Sequence, residues 1–157
     1  MHLLEYSLQI IDSDIAEVSG FAHNGFWATK TAWKSDTNED EAAVVVRFTD
    51  GRWLTLCMTS LDSRPKQGLL EITGTKGSYV FDGKTYEVTT HRGRKTLVTK
   101  GENPPSGGWR FYKNVADHLV KGEKLVITGQ WSRRPIHILD LACRSAKLGR
   151  TLRAKYK

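Results

Sequence analysis

The chain has 157 residues, of which 39% are hydrophobic and 26% charged, and 24 Lys and Arg against 17 Asp and Glu give a net charge of +7. That length and balance fit one domain with its own core and exclude a disordered polymer. No apolar run approaches the roughly 18 residues of a spanning helix, and the start MHLLEYSLQIID has neither a basic leader nor a small-residue cleavage site.

Two cysteines, Cys57 and Cys143, cannot build a disulfide framework or a Cys-based zinc site, so reduced thiols in a cytoplasmic protein with no membrane contact are expected. The basic excess gathers from Arg144 to Lys157, with a second cluster at Arg92, Arg94, Lys95 and Lys100. Such runs read as solvated ends, and nucleic-acid binding through the basic tail is the least favoured function.

The elements follow in order. Leu4, Leu8 and Ile11 recur at helical spacing, which predicts a first helix over His2–Ile11. No capping residue precedes it, so a truncated helix is expected. Ile15–Ala22 and Phe26–Lys34 read as strands, followed by an acidic loop over Asp36–Glu41. Ala42–Phe48 and Trp53–Ser60 alternate around Asp50-Gly51, a strong hairpin signal. Leu69–Thr73, Ser78–Phe81, Thr85–His91 and Lys95–Lys100 continue as an antiparallel meander. After a Pro- and Gly-rich loop, Trp109–Lys121 reads as a helix closed by Gly122, and Leu125–Ile127 as a short extended piece. A last helix runs from Thr128 to Leu148, with Pro135 either preceding its regular part or kinking it. The class is therefore α+β. One mostly antiparallel sheet carries helices on one face and leaves the other available for subunit pairing.

Chemical motifs are sparse. There is no Gly-rich phosphate loop, and Gly74-Thr75-Lys76-Gly77 lies between strands and reads as a hairpin turn. His2, His23, His91, His118 and His137 have no metal-ligand spacing, so no metal site is expected. Trp53, Arg64, Lys66, Trp109, Arg110, Tyr112 and Trp131 could interleave stacking and basic groups, but the aromatics read as core or interface residues.

Five strings in register carry a resemblance. They are Val44–Gly51, Ile72–Ser78, Phe111–Leu119, Gly122–Thr128 and Ile136–Gly149. Together they resemble the C-terminal domain of the glucose–fructose oxidoreductase / inositol dehydrogenase / rhizopine-catabolism (Gfo/Idh/MocA) family over nearly all of residues 1–157. The resemblance implies a two-domain enzyme whose N-terminal Rossmann half binds NAD or NADP, and which moves hydride to or from a sugar, polyol or similar hydroxy compound. This chain alone is then expected to bind no cofactor and to be inactive. The resemblance places His2 at the family's proton-transfer histidine, although the aspartate four residues before it would lie ahead of Met1. Arg64, Lys66, Trp109, Arg110 and Tyr112 are the candidates for the substrate side. A homo-oligomer through the open sheet face is implied, and the alternative reading is a non-catalytic dimerisation or binding module.

Overall fold

The structure is a computed structural model that describes residues 2–34, 36–63 and 69–156. It is an α+β fold with three α-helices and eight strands among those residues. Contacts divide it into two compact units. The first joins Met1–Ser63 to Ile127–Lys157, and the second is the single stretch Arg64–Val126.

The first unit contains α1 (His2–Ile10), β1 (Ile15–His23), β2 (Glu41–Phe48), β3 (Trp53–Thr59), and then α3 (Gly129–Leu148) and β8 (Leu152–Arg153). Its sheet has the order β3-β2-β1-β8 and is antiparallel throughout. The register sets Val18 beside Val46 and Gly20 beside Val44, with Leu54 and Leu56 next in line. Because side chains alternate across a strand, these residues share one face. That face is buried beneath Leu4 and Leu8 of α1 and Ile138, Leu141 and Ala142 of α3. Each such leucine or isoleucine contributes about 1.5–3 kcal/mol by leaving water, so this interface is the fold's principal core. α3 is capped by Thr128, whose hydroxyl accepts from Trp131 N, and it runs through Pro135 without interruption.

The second unit is a meander of β4 (Leu70–Gly74), β5 (Gly77–Phe81), β6 (Thr85–Arg92) and β7 (Lys95–Glu102), followed by α2 (Trp109–Lys121). Its ladders align Leu70, Phe81 and Tyr86 in one row, and Ile72, Tyr79 and Val88 in the next. The Tyr79 and Tyr86 rings stack across the strands with centroids 6.1 Å apart. Gly101 faces Tyr86 on the neighbouring strand, where a Cβ would stand 2.6 Å from the tyrosine ring. α2 buries none of its residues and ends on Gly122 at φ 73°, a left-handed cap that suits glycine.

The strands thus fall into two four-stranded sheets where the pattern suggested one. β2 and β3 form the hairpin expected at Asp50-Gly51, with Gly51 at φ 89° and Asp50 accepting from the Arg52 backbone. Three segments differ from their expected form. Phe26–Lys34 is not a strand but a 3-10 turn over Trp27–Thr29 with further turns. Leu125–Ile127 is not extended throughout but bends at Val126 and Ile127, where the Asn114 side chain accepts from Val126 N and donates to Lys124 O. The basic tail contains a strand, β8, which completes the edge of the first sheet.

Candidate functional site

The expected site residues fall in both units. His2 opens α1, and its side chain lies outside what the structure describes. Arg64 and Lys66 lie outside the described residues. Trp109, Arg110 and Tyr112 occupy the first turn of α2. Trp109 and Tyr112 are largely exposed, at 62% and 73%. The Arg110 guanidinium lies 5.7 Å from the Trp109 ring centroid, within reach of its negative face. Tyr112 meets the Phe111 ring edge-on at 5.3 Å. The turn therefore presents an indole, a cation and a phenol to solvent.

The face of the first sheet turned away from the helices is open. Its rows run Glu17–Arg47–Trp53, Ser19–Val45–Thr55 and Phe21–Ala43–Cys57. Phe21 is 63% exposed and Trp53 67%, and between them Ala43 and Val45 are half-buried. At the edge of this face Arg47 bonds Glu17 at 2.9 Å. Apolar Phe21, Ala43, Val45 and Trp53 thus share this face with Ser19, Thr55 and the Glu17–Arg47 pair, a mixed polar and apolar surface of the kind subunits can bury.

A cleft of about 340 Å³ in the first unit is lined by Asp12, Ser13, Asp14, Thr128, Gln130, Trp131 and Arg134. Arg134 closes one side by donating from Nη2 to the Ser13 carbonyl at 2.6 Å, while its buried Nε has no partner. Sequence reading did not find this cleft. Its walls come from two segments more than a hundred residues apart, with no shared motif.

Asp40 was also missed. It is fully buried, and its carboxylate accepts from Phe26 N at 2.8 Å and Trp27 N at 3.1 Å. Burial alone raises its pKa, but the backbone donors of Phe26, Trp27 and Gly25 outweigh it and hold the carboxyl below its ordinary value. Ser60 Oγ donates to the Asp40 carbonyl and accepts from Trp27 Nε1. This network folds residues 26–29 into a turn against the sheet, which is why the apolar run around Trp27 does not extend as a strand.

Residues 1–80 match the sequence model of the GFO/IDH/MocA C-terminal domain, about half of the chain. The chain belongs to this family. No curated protein matches it. Among solved structures, yvaA of Bacillus subtilis superposes with a TM-score of 0.79 at 16% identity, covering 98% of this chain and 48% of that one. An oxidoreductase from Bacillus cereus gives 0.76 at 11% identity, with 98% and 50% covered. An NAD-binding protein from Listeria innocua gives 0.70 at 16% identity, with 98% and 45% covered. The chain spans about half the length of these neighbours, and at such identities the likeness is one of fold.

A dinucleotide needs a strand, a glycine-rich turn and a helix N-terminus within a parallel crossover. Every strand pair described here is antiparallel. Among the described residues of this GFO/IDH/MocA domain there is thus no parallel strand–helix–strand crossover of that kind. Among the described residues no group of three or more His, Cys, Asp or Glu could hold a metal, and no helix is long and apolar enough to cross a membrane.

Proposed function

We propose that this chain is the substrate-side half of an NAD(P)-dependent oxidoreductase acting on a sugar, polyol or similar hydroxy compound. It is inactive until a nucleotide-binding domain joins it, and two copies pair through the open face of the first sheet. The observation that carries the reading is family membership joined to a chain half as long as its structural neighbours. One of those neighbours is named an NAD-binding protein.

Oxidising an alcohol removes a hydride and a proton. The nicotinamide supplies the hydride chemistry when it is bound to the other domain. This chain's share is the proton: His2 accepts it, because an imidazole takes a proton near neutral pH. Arg64, Lys66, Trp109, Arg110 and Tyr112 contact the substrate. Alanine at any of these positions, in the enzyme joined to its nucleotide-binding domain, should lower kcat/KM, and an unaltered value removes that residue from the site.

The direct test is a titration of the purified chain with NADH and NADPH, followed by the fluorescence of its five tryptophans. The expected result is no saturable change. Saturable micromolar binding would overturn the division of labour proposed here.

A further inference from the structure

The segment after β8 is tied to α3 by a histidine. β8 pairs with β1, setting Arg153 beside Glu17 and Leu152 beside Val18, and Ala154 N donates to Ala16 O at 2.9 Å. The next residue leaves the ladder: Lys155 N donates to Nε2 of His137, on α3, at 3.2 Å. Tyr156 then meets the imidazole edge-on, with centroids 4.8 Å apart, and the Arg133 guanidinium lies 4.3 Å from the Tyr156 ring centroid. His137 is only 7% exposed. A backbone N–H can only donate, so Nε2 bears the lone pair, and the ring is the neutral tautomer with its proton on Nδ1.

We propose that His137 is a proton-operated latch: when neutral it ties Lys155 and Tyr156 to α3, and when protonated it lets the tail go, and β8 with it. A proton on Nε2 would set one N–H against another and remove the acceptor that Lys155 uses.

The surroundings favour the neutral ring. Burial pushes the His137 pKa down; Asp140 pulls it up, and Arg133, Arg144 and Lys155 push it down. The other elements packed on α3 carry His2, Glu5 and Tyr6 on α1, Glu17 and His23 on β1, and Arg153 on β8. Glu17 is committed to Arg47 on the open side of the sheet. The free tail leaves an imidazole that binds a proton more readily than the latched one. The latched state therefore loses ground as pH falls below the ordinary histidine value of 6.5. Release would also uncover the backbone edge of β1, which β8 otherwise occupies.

The test is hydrogen exchange of the full chain, read by mass spectrometry and NMR from about pH 7.5 to about pH 5 and corrected for intrinsic rates. The amides of Ala154 and Lys155 should lose protection about tenfold per unit of pKa separating latched and free imidazole. The loss should track the titration of the His137 ring, while β2 amides keep their protection. In His137→Gln the carboxamide oxygen can still accept from Lys155 but cannot titrate, so the pH dependence should vanish. A flat profile in the wild type, or a loss that persists in His137→Gln, overturns the latch. Should the variant fail to fold, agreement or disagreement of the two wild-type midpoints decides.

Discussion

Gly20 of β1 lies against the backbone of Ala142 on α3, so close that a Cβ on Gly20 would stand 2.1 Å from the Ala142 carbonyl oxygen. No side-chain rotation relieves a contact between two main chains. Gly20→Ala should push α3 off the sheet and cost roughly 1–3 kcal/mol, the usual range for overpacking. Urea unfolding monitored by circular dichroism checks it, and an unchanged midpoint would show that the helix can shift at no cost.

The same contact is held by a hydroxyl. Ser145 Oγ accepts from Gly20 N at 2.9 Å and donates to Arg150 O at 2.7 Å, from a side chain only 1% exposed. Ser145→Ala leaves a donor and an acceptor unpaired, at a cost of about 1–3 kcal/mol. For a chain of this size that lowers Tm by about 2–4 °C per kcal/mol. Scanning calorimetry should show it, and the loss should not add fully to that of Gly20→Ala, since the two share a hydrogen bond.

Asp40 predicts an acid-labile loop. Its pKa is depressed in the fold, so the stability it contributes is present above the ordinary value of 3.8 and is lost as pH falls through the lower, folded value. Amides of Phe26 and Trp27 should exchange several-fold faster once Asp40 is protonated. In Asp40→Ala, which removes the acceptor altogether, the same amides should exchange quickly at every pH. Equal protection in the wild type across the acid range would remove Asp40 as the anchor.

The open face of the first sheet predicts the oligomer. Phe21 and Trp53 are exposed, so replacing both with Glu should leave the far-UV circular dichroism spectrum, and hence the fold, unchanged. Light scattering should report a dimer for the wild type and a monomer for the double variant. Cys57, in the same row as Phe21, should react faster with a thiol reagent in the variant. A wild-type monomer with an already reactive Cys57 would end the pairing proposal.

Much of the fold was legible because its signals are local. Alternation and an Asp-Gly turn suffice for β2 and β3, and i, i+4 spacing with a terminal glycine suffices for α2. What escaped is non-local. The run around Trp27 has strand composition, but a carboxylate at Asp40 bends it. The basic tail reads as solvated, but Leu152 and Ala154 pack on the core and Lys155 finds a ring nitrogen on α3. The two-sheet division depends on which edges stay unpaired, which alternation does not encode. Trp109, Arg110 and Tyr112 are close in sequence and so could be singled out together, whereas the Arg134 cleft joins residues that only the folded chain brings together.

The first unit's interrupted sequence has a consequence for its birth on the ribosome. Its three long strands emerge by Thr59, yet Ile138, Leu141 and Ala142, which cover them, belong to a helix that ends at Leu148. At the usual pace of synthesis the gap lasts roughly 5–20 s. Throughout that interval Val18, Val44 and Val46 wait for their cover while the whole second unit is being made. A nascent chain stalled before α3 should therefore engage holdase chaperones, and one released after Leu148 should not.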